Sequence, residues 1–453
     1  MNITLFLSVF SILAIVYLII GIGASRKIKT NEDYFLAGRN LGFWPLVATL
    51  LATHIGGGMM FGTAKEAYNV GCYGILYSLG LALGLIVLGF GFASKLRVFN
   101  VATTVELFEV KYNSVFLRKF ASILSAVSLC GILAGIVISA REFFLGLGLQ
   151  SELAFIIFWL FVIFYTVIGG LKAVIATDVF QVIFIIILFF GVFIFSLFQD
   201  WGTVASNMQL FPISEGYFSF GRLARNLLIP FLFVFIEQDI AQRFFAARNK
   251  KIAVTSALFS GIFLILFSFI PVYFGINAKV LNMIVPLGAS PLVILLQQFV
   301  GDFVFVLIMC ALFAAIVSTA DSLLCAISSN IAQDFEFSWL RIKNKLRFSQ
   351  LITFLTGIFS LGVAYFFDSI IEVIVASYTL LVCSLFVSVM FCFFKDKLDK
   401  EAAFGSVFAG LLGFIYFKLF PVINIPEFVL ALGLSLIGYF VGTGIARYYR
   451  QTT

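Results

Sequence analysis

Thirteen apolar runs, each near the length of a bilayer crossing, constrain this chain more than any other feature. They cover roughly 3–23, 44–70, 73–94, 118–145, 152–169, 172–199, 225–246, 252–276, 302–331, 348–367, 369–394, 402–422 and 427–447. About 20 apolar residues in a helix cross the hydrocarbon core. Lipid offers a backbone no hydrogen-bond partners, so such runs must be helical. Only 11% of residues are charged, against about 25% in soluble domains. The chain is therefore predicted to be an all-α polytopic membrane protein, a single transmembrane domain over 1–453 with no soluble domain appended.

Charge orients the runs. With the N-terminus outside and the C-terminus cytoplasmic, 23 of the 29 lysines and arginines fall at predicted inner loops, Arg243 among them. Three fall at outer loops and three near outer helix ends. That bias is the one expected of inner segments, and it predicts residence in an inner (plasma) membrane. It also explains the net charge of +7 without any nucleic-acid partner. The first run has no basic residue before it, while Arg26, Lys27 and Lys29 follow. A signal peptide has the opposite polarity, so this run is predicted to remain as a helix. The six cysteines are scattered with no Cys-x-x-Cys pair, which argues against a disulfide framework or a cysteine metal site.

Two runs are interrupted in the same way. His54-Ile55-Gly56-Gly57-Gly58 breaks the second, and Pro230 is predicted to break the seventh, which also carries Glu237, Gln238 and Asp239. Glycine weakens a helix by about 1 kcal/mol relative to alanine, and proline removes a backbone donor. The interruptions open two blocks of five runs, 44–199 and 225–394, which enter the membrane in opposite orientations. Broken helices at matching places in inverted halves point to a solute and ion site near the midplane.

Polar residues inside the runs agree. Ser318-Thr319-Ala320-Asp321-Ser322 lies within the ninth, and Asp178 within the sixth. A carboxylate at such depth costs about 2.5 kcal/mol or more against lipid, so it faces protein or water and has a partner. Ser318, Asp321 and Ser322 share one helix face, and hard oxygen donors suit a weakly held alkali cation. Asp178 and Asp321 lie about 9 and 14 Å from the inner boundary by helix rise, within reach of one shared cation.

The residues then resemble a known family. Asp33-Tyr34-Phe35-Leu36-Ala37-Gly38-Arg39, the stretch from Gly169 to Gln181, Gln242-Arg243-Phe244-Phe245-Ala246-Ala247, and Ala314 to Ser322 resemble, in order and spacing, motifs of the sodium/solute symporter family. The resemblance covers about 33 to 394, with one extra helix before and two after (402–447). It implies a LeuT-like 5+5 inverted repeat and solute movement with Na⁺ by alternating access. It implies a first sodium on the carbonyls of Ala52, Ile55 and Ala315 and the hydroxyls of Ser318 and Thr319. A second, nearer the cytoplasm, is implied at Asp178, Ser318, Asp321 and Ser322. Asp321 stands where the sialic acid member has serine.

Solute contacts are expected at His54, Gly56, Gly57, Met59, Phe233 and Glu237. Met59 and Phe233 replace polar residues of the galactose pocket, which argues against sugar transport of that type. His54, the only histidine, is either a packed core residue or a solute contact that responds to pH. Glu237 and Asp239 either favour an ammonium-bearing solute or line the inner vestibule. Arg141 reads as a snorkelling anchor. The solute class implied is an amino acid, sugar, vitamin or organic acid, with lipid as the surroundings and no obligatory protein partner. No nucleophile–base arrangement suggests an enzyme. Proton coupling and a non-transporting solute sensor are the competing readings.

Overall fold

The computed structural model describes residues 3–26, 28–148, 151–198, 220–286, 288–335, 345–367, 369–422 and 425–452. They form helices α1 (Ile3–Ser25), α2 (Asn31–Leu36), α3 (Phe43–His54), α4 (Thr63–Val70), α5 (Leu76–Val87), α6 (Ala93–Phe99), α7 (Leu107–Tyr112), α8 (Val115–Gly146) and α9 (Glu152–Phe198). There follow α10 (Phe220–Phe233), α11 (Gln238–Ala246), α12 (Lys250–Val280), α13 (Pro291–Phe299), α14 (Asp302–Asp334), α15 (Lys345–Ala364), α16 (Ile370–Cys392), α17 (Lys400–Leu419) and α18 (Glu427–Thr452). Among the described residues ten helical stretches are long and apolar enough to cross a membrane. Two join runs that the sequence separates. The stretch Gly58–Phe99 contains a tight turn at Gly71–Ile75. Helix α9 bends at Gly170, where φ is 49° and ψ is −168°.

The Gly170 bend has a steric cause. Its backbone lies so near Tyr34 that a Cβ would sit 2.4 Å from the Tyr34 ring. Only glycine tolerates that backbone conformation readily. Tyr34 belongs to α2, which begins with a reciprocal cap: the Thr30 hydroxyl accepts from the Asp33 N–H and the Asp33 carboxylate accepts from the Thr30 N–H. Such a box satisfies two of the free amides at a helix start. Asp33 also accepts from Lys172 on α9 at 3.3 Å. Partial desolvation pulls the Asp33 carboxyl up. The Lys29 N–H, the Thr30 hydroxyl and the Lys172 ammonium outweigh it and hold the group below its ordinary range.

Helix α14 is the axis of the molecule. It is buried along nearly all its length and packs against α1, α3, α8, α9 and α15. Outer helices such as α1 and α15 present Ile12, Ile15, Ile19, Leu355 and Phe359 outward, as lipid-facing surfaces require. The two interrupted helices are tied at one end. Leu41, just before α3, exchanges backbone hydrogen bonds with Ala246 and Arg248 at 3.0 and 2.9 Å.

The interruptions fall where backbone geometry allows. Helix α3 ends at His54; Ile55 leaves the helical region (φ −78°, ψ 56°), and Gly58–Gly62 resumes as a π-helical turn. The other break is not at Pro230. That proline sits inside α10, and the chain leaves the helix four residues later, over 234–237, before α11 begins. Proline removes the donor to the preceding turn but leaves its own carbonyl usable, and here Val234 N–H bonds to it at 3.3 Å.

Candidate functional site

Where α3 ends, its last carbonyls have no intrahelical partner, and α14 supplies one. Ser318 Oγ donates to the Ala52 carbonyl at 2.8 Å and lies 3.2 Å from that of Ala315. Thr319 Oγ1 lies 3.1 Å from the carbonyls of both Thr53 and Ala315. Four of the five expected first-sodium residues thus meet in one buried knot, joined by the Thr53 carbonyl, which the sequence reading omitted. Ile55 follows as the buried cap residue of α3, its N–H bonded to Leu51. Gly56 makes the approach possible, because a Cβ there would lie 2.0 Å from Thr319 Oγ1. The donors are neutral, hard oxygens at the electronegative end of a helix, a set that fits a small alkali cation. Among the described residues there is no cluster of three His, Cys, Asp or Glu that would hold a more strongly bound metal.

One helical turn away the residues expected to hold a second sodium meet a resident cation. Arg243, read from the sequence as a cytoplasmic loop charge, is wholly buried in α11. This is a correction with a plain cause: a buried carboxylate holds the guanidinium in the core. Its Nη2 lies 3.7 Å from Asp178 Oδ2 and donates to Ser322 Oγ at 2.5 Å. Its Nε donates to Thr49 Oγ1 at 2.9 Å, and Thr49 in turn donates to Asp178 at 2.5 Å. Ser322 donates onward to the Ser318 carbonyl at 2.7 Å, which links the two oxygen clusters. Asp321 is held apart from the guanidinium. Its Oδ1 accepts from Thr166 of α9, and its Oδ2 has no hydrogen-bond partner among the described residues.

Between the two breaks lies a cavity of about 30 Å³. His54, Gly56, Met59 and Glu237 line it, together with Thr53, Asp239, Thr319, Tyr77 and Tyr378. Of the other expected solute contacts, Gly57 turns toward Ser139 of α8, and Phe233 stands behind the wall, stacked on Tyr378 with ring centroids 3.9 Å apart. The hydroxyls of Tyr77 and Tyr378 are 3.2 Å apart. Neither tyrosine carried a local signal in the sequence, since each lies in an ordinary apolar run. Arg141 sits at the surface over the Tyr365 ring, 4.1 Å from its centroid.

Comparison with known proteins gives a consistent picture. The family model described as the sodium:solute symporter family matches residues 34–410. The high-affinity choline transporter 1 of Caenorhabditis elegans is 31% identical over 182 residues, covering 37% of this chain and 31% of that protein. The sodium/sialic acid symporter SiaT of Proteus mirabilis (strain HI4320) is 27% identical over 378 residues, covering 76% and 74%. The match thus spans about a third of the length of the first of these relatives. Among solved structures, the substrate-bound outward-open state of a Na⁺-coupled sialic acid symporter superposes with a TM-score of 0.79 at 20% identity, covering 97% of each chain. The likeness in fold therefore extends over nearly the whole molecule.

Proposed function

Because the chain belongs to the sodium:solute symporter family, we propose that it carries a small organic solute across a membrane in symport with Na⁺. The observation that supports this most is the buried oxygen knot of Ala52, Thr53, Ala315, Ser318 and Thr319, formed where a broken helix meets α14. Sodium bound there joins α3 to α14 and stiffens the wall of the adjacent cavity through Thr319, which belongs to both. In this reading solute and ion enter from outside, and their joint binding favours closure of the outer path. A rocking of the helix bundle then opens the inner one. The cavity is too small for an organic solute as it stands, so loading requires the helices around it to part. The same reading gives thirteen membrane crossings, by dividing α9 at Gly170 and the 58–99 stretch at Gly71–Ile75 and by counting the interrupted pair α10 and α11 as one more. It places the N-terminus outside and the C-terminus in the cytoplasm, in an inner (plasma) membrane.

A second sodium at Asp178, Ser318, Asp321 and Ser322 would share the oxygens of Asp178 and Ser322 with the Arg243 guanidinium. A second reading of the coupling ion rests on Asp321, a wholly buried carboxylate with one oxygen unpartnered among the described residues. Such a group suits a proton as well as a metal cation. Uptake by reconstituted vesicles under an imposed sodium gradient, an imposed proton gradient, or neither separates the readings. Sodium symport requires accumulation with the sodium gradient alone. Accumulation driven only by protons supports the second reading, and mere equilibration overturns both.

A further inference from the structure

The cavity between the two breaks has a composition that selects its occupant. Three buried groups facing it can accept hydrogen bonds and have spare capacity. Glu237 is 5% exposed and Asp239 is fully buried. Both side-chain oxygens of Asp239 and Oε2 of Glu237 lack a donor among the described residues, and the two carboxyls lie close enough to share one proton. His54 Nδ1 lies 2.8 Å from the Leu50 carbonyl, which can only accept, so Nδ1 carries the hydrogen of the neutral ring. The lone pair is then on Nε2, which also has no partner. Uncompensated carboxylates in a water-poor interior are costly and call for a cation or a proton.

Among the described residues no lysine or arginine forms an ion pair with either carboxylate; Arg243 acts on Glu237 only at longer range. No lysine or arginine is among the described residues lining the cavity. Arg243 is directed elsewhere: its Nη2 serves Ser322 and Asp178, and its Nη1 donates to the backbone carbonyl of Asp239, not to its carboxylate. Part of the wall is aromatic, with Tyr77 and Tyr378 lining the cavity and Phe233 stacked behind. Ring faces attract cations within about 6 Å.

We propose that the transported solute is a small protonated amine that carries N–H donors and no carboxylate, held between Glu237 and Asp239 with its nitrogen against His54 and the two tyrosines. This rests on the symport reading and deepens it. A zwitterionic amino acid finds no lysine or arginine for its carboxylate among the described lining residues and brings it against two acids, and a quaternary nitrogen has no N–H to give the three acceptors.

The test uses the full-length protein in lipid nanodiscs, with thermal stability measured in sodium or potassium chloride. A panel of primary alkylamines from methylamine to hexylamine and the short diamines is compared with tetramethylammonium, alanine, glucose and acetate. The expected result is stabilisation by Na⁺ over K⁺, with further stabilisation by one or more amines only when Na⁺ is present. Glu237→Gln and Asp239→Asn should weaken the amine's half-maximal effect by about a hundredfold, the scale of losing a partner in a buried charge pair. Both should retain the shift caused by Na⁺, which also certifies their folding. Variants that keep the wild-type amine response overturn the proposal, as does a larger shift from glucose, alanine or acetate. A sodium shift with no response to any amine overturns the amine assignment and leaves symport standing. Loss of the sodium shift in either variant overturns it too, by making these acids part of the ion site. Absence of any sodium effect in the wild type counts against symport itself.

Discussion

Arg243 brings its Nη2 to 3.7 Å from Oδ2 of Asp178, with both side chains fully buried. The pair joins α11, just after one helix break, to the second half of α9, while Thr49 and Ser322 extend it to α3 and α14. Four helices therefore meet on one guanidinium. This is the part of the molecule where the oxygen knot and the interrupted helices are mechanically connected.

Removing one member of that pair should be far worse than removing both charges. Arg243→Gln leaves Asp178 uncompensated, and breaking a buried pair in this way costs about 3–5 kcal/mol. The expected outcome is a large drop in melting temperature and in monodisperse yield, partly restored by adding Asp178→Asn. Size-exclusion profiles and thermal melts of the two single variants and the double variant measure the coupling. Additive losses would show that the two groups act independently.

The oxygen knot at α14 should set sodium affinity. Ser318→Ala and Thr319→Ala each remove one donor oxygen from a charged ligand, a contact of about 1.5–3 kcal/mol. Each should raise the half-maximal sodium concentration for uptake by roughly ten- to a hundredfold. Thr319→Ser keeps the oxygen and should stay near wild type. A sodium curve unchanged in both alanine variants would remove the knot from the ion site.

Gly56 and Gly170 should both reject alanine, for different reasons. At Gly56 a Cβ meets Thr319 Oγ1 at 2.0 Å, so Gly56→Ala should impair sodium dependence more than folding. At Gly170 the backbone has a positive φ and the Cβ meets the Tyr34 ring at 2.4 Å. Strain of about 1–3 kcal/mol is expected from the backbone alone, so Gly170→Ala should lower the melting temperature while leaving the sodium affinity of the folded fraction unchanged. Parallel sodium titrations and melts of the two variants distinguish these effects.

Acid should unlock α2 from α9. The Asp33 carboxyl is held below its ordinary value in the folded protein by the Lys29 N–H, Thr30 and Lys172. The sign follows: the stabilisation is complete above the unfolded-state value and is lost as pH falls through the lower folded-state value. Asp33→Asn should therefore melt earlier than wild type at neutral pH, and the gap should close as pH falls below about 4. Melting temperature against pH for the two proteins checks this; a constant gap would assign the loss to shape instead of charge.

Much of this was readable in the chain itself. Long apolar runs leave a backbone in lipid no choice but helices, which is a purely local constraint. The three glycines after Ile55 likewise mark a break by backbone preference alone, and the helix opens at Ile55 and Gly56, where they begin. Ser318 and Ser322 lie four positions apart on one helix, so their common face follows from helix geometry. Pro230 misled because proline tolerates a bent but continuous helix when its own carbonyl finds a donor, and the actual opening is displaced to 234–237.

What only the tertiary structure decided are the partners. A basic residue near a helix end is assigned by sequence to the aqueous loop, yet Arg243 turns inward, because Asp178 and Thr49, far away along the chain, converge on it. Tyr77 and Tyr378 become one wall for the same reason: their helices, α5 and α16, both pack against α10, and the two hydroxyls meet. Local backbone energetics fix where the chain is helical and where it stops. Which charges neutralise each other depends on distances between helices, and those are set by packing of the whole bundle.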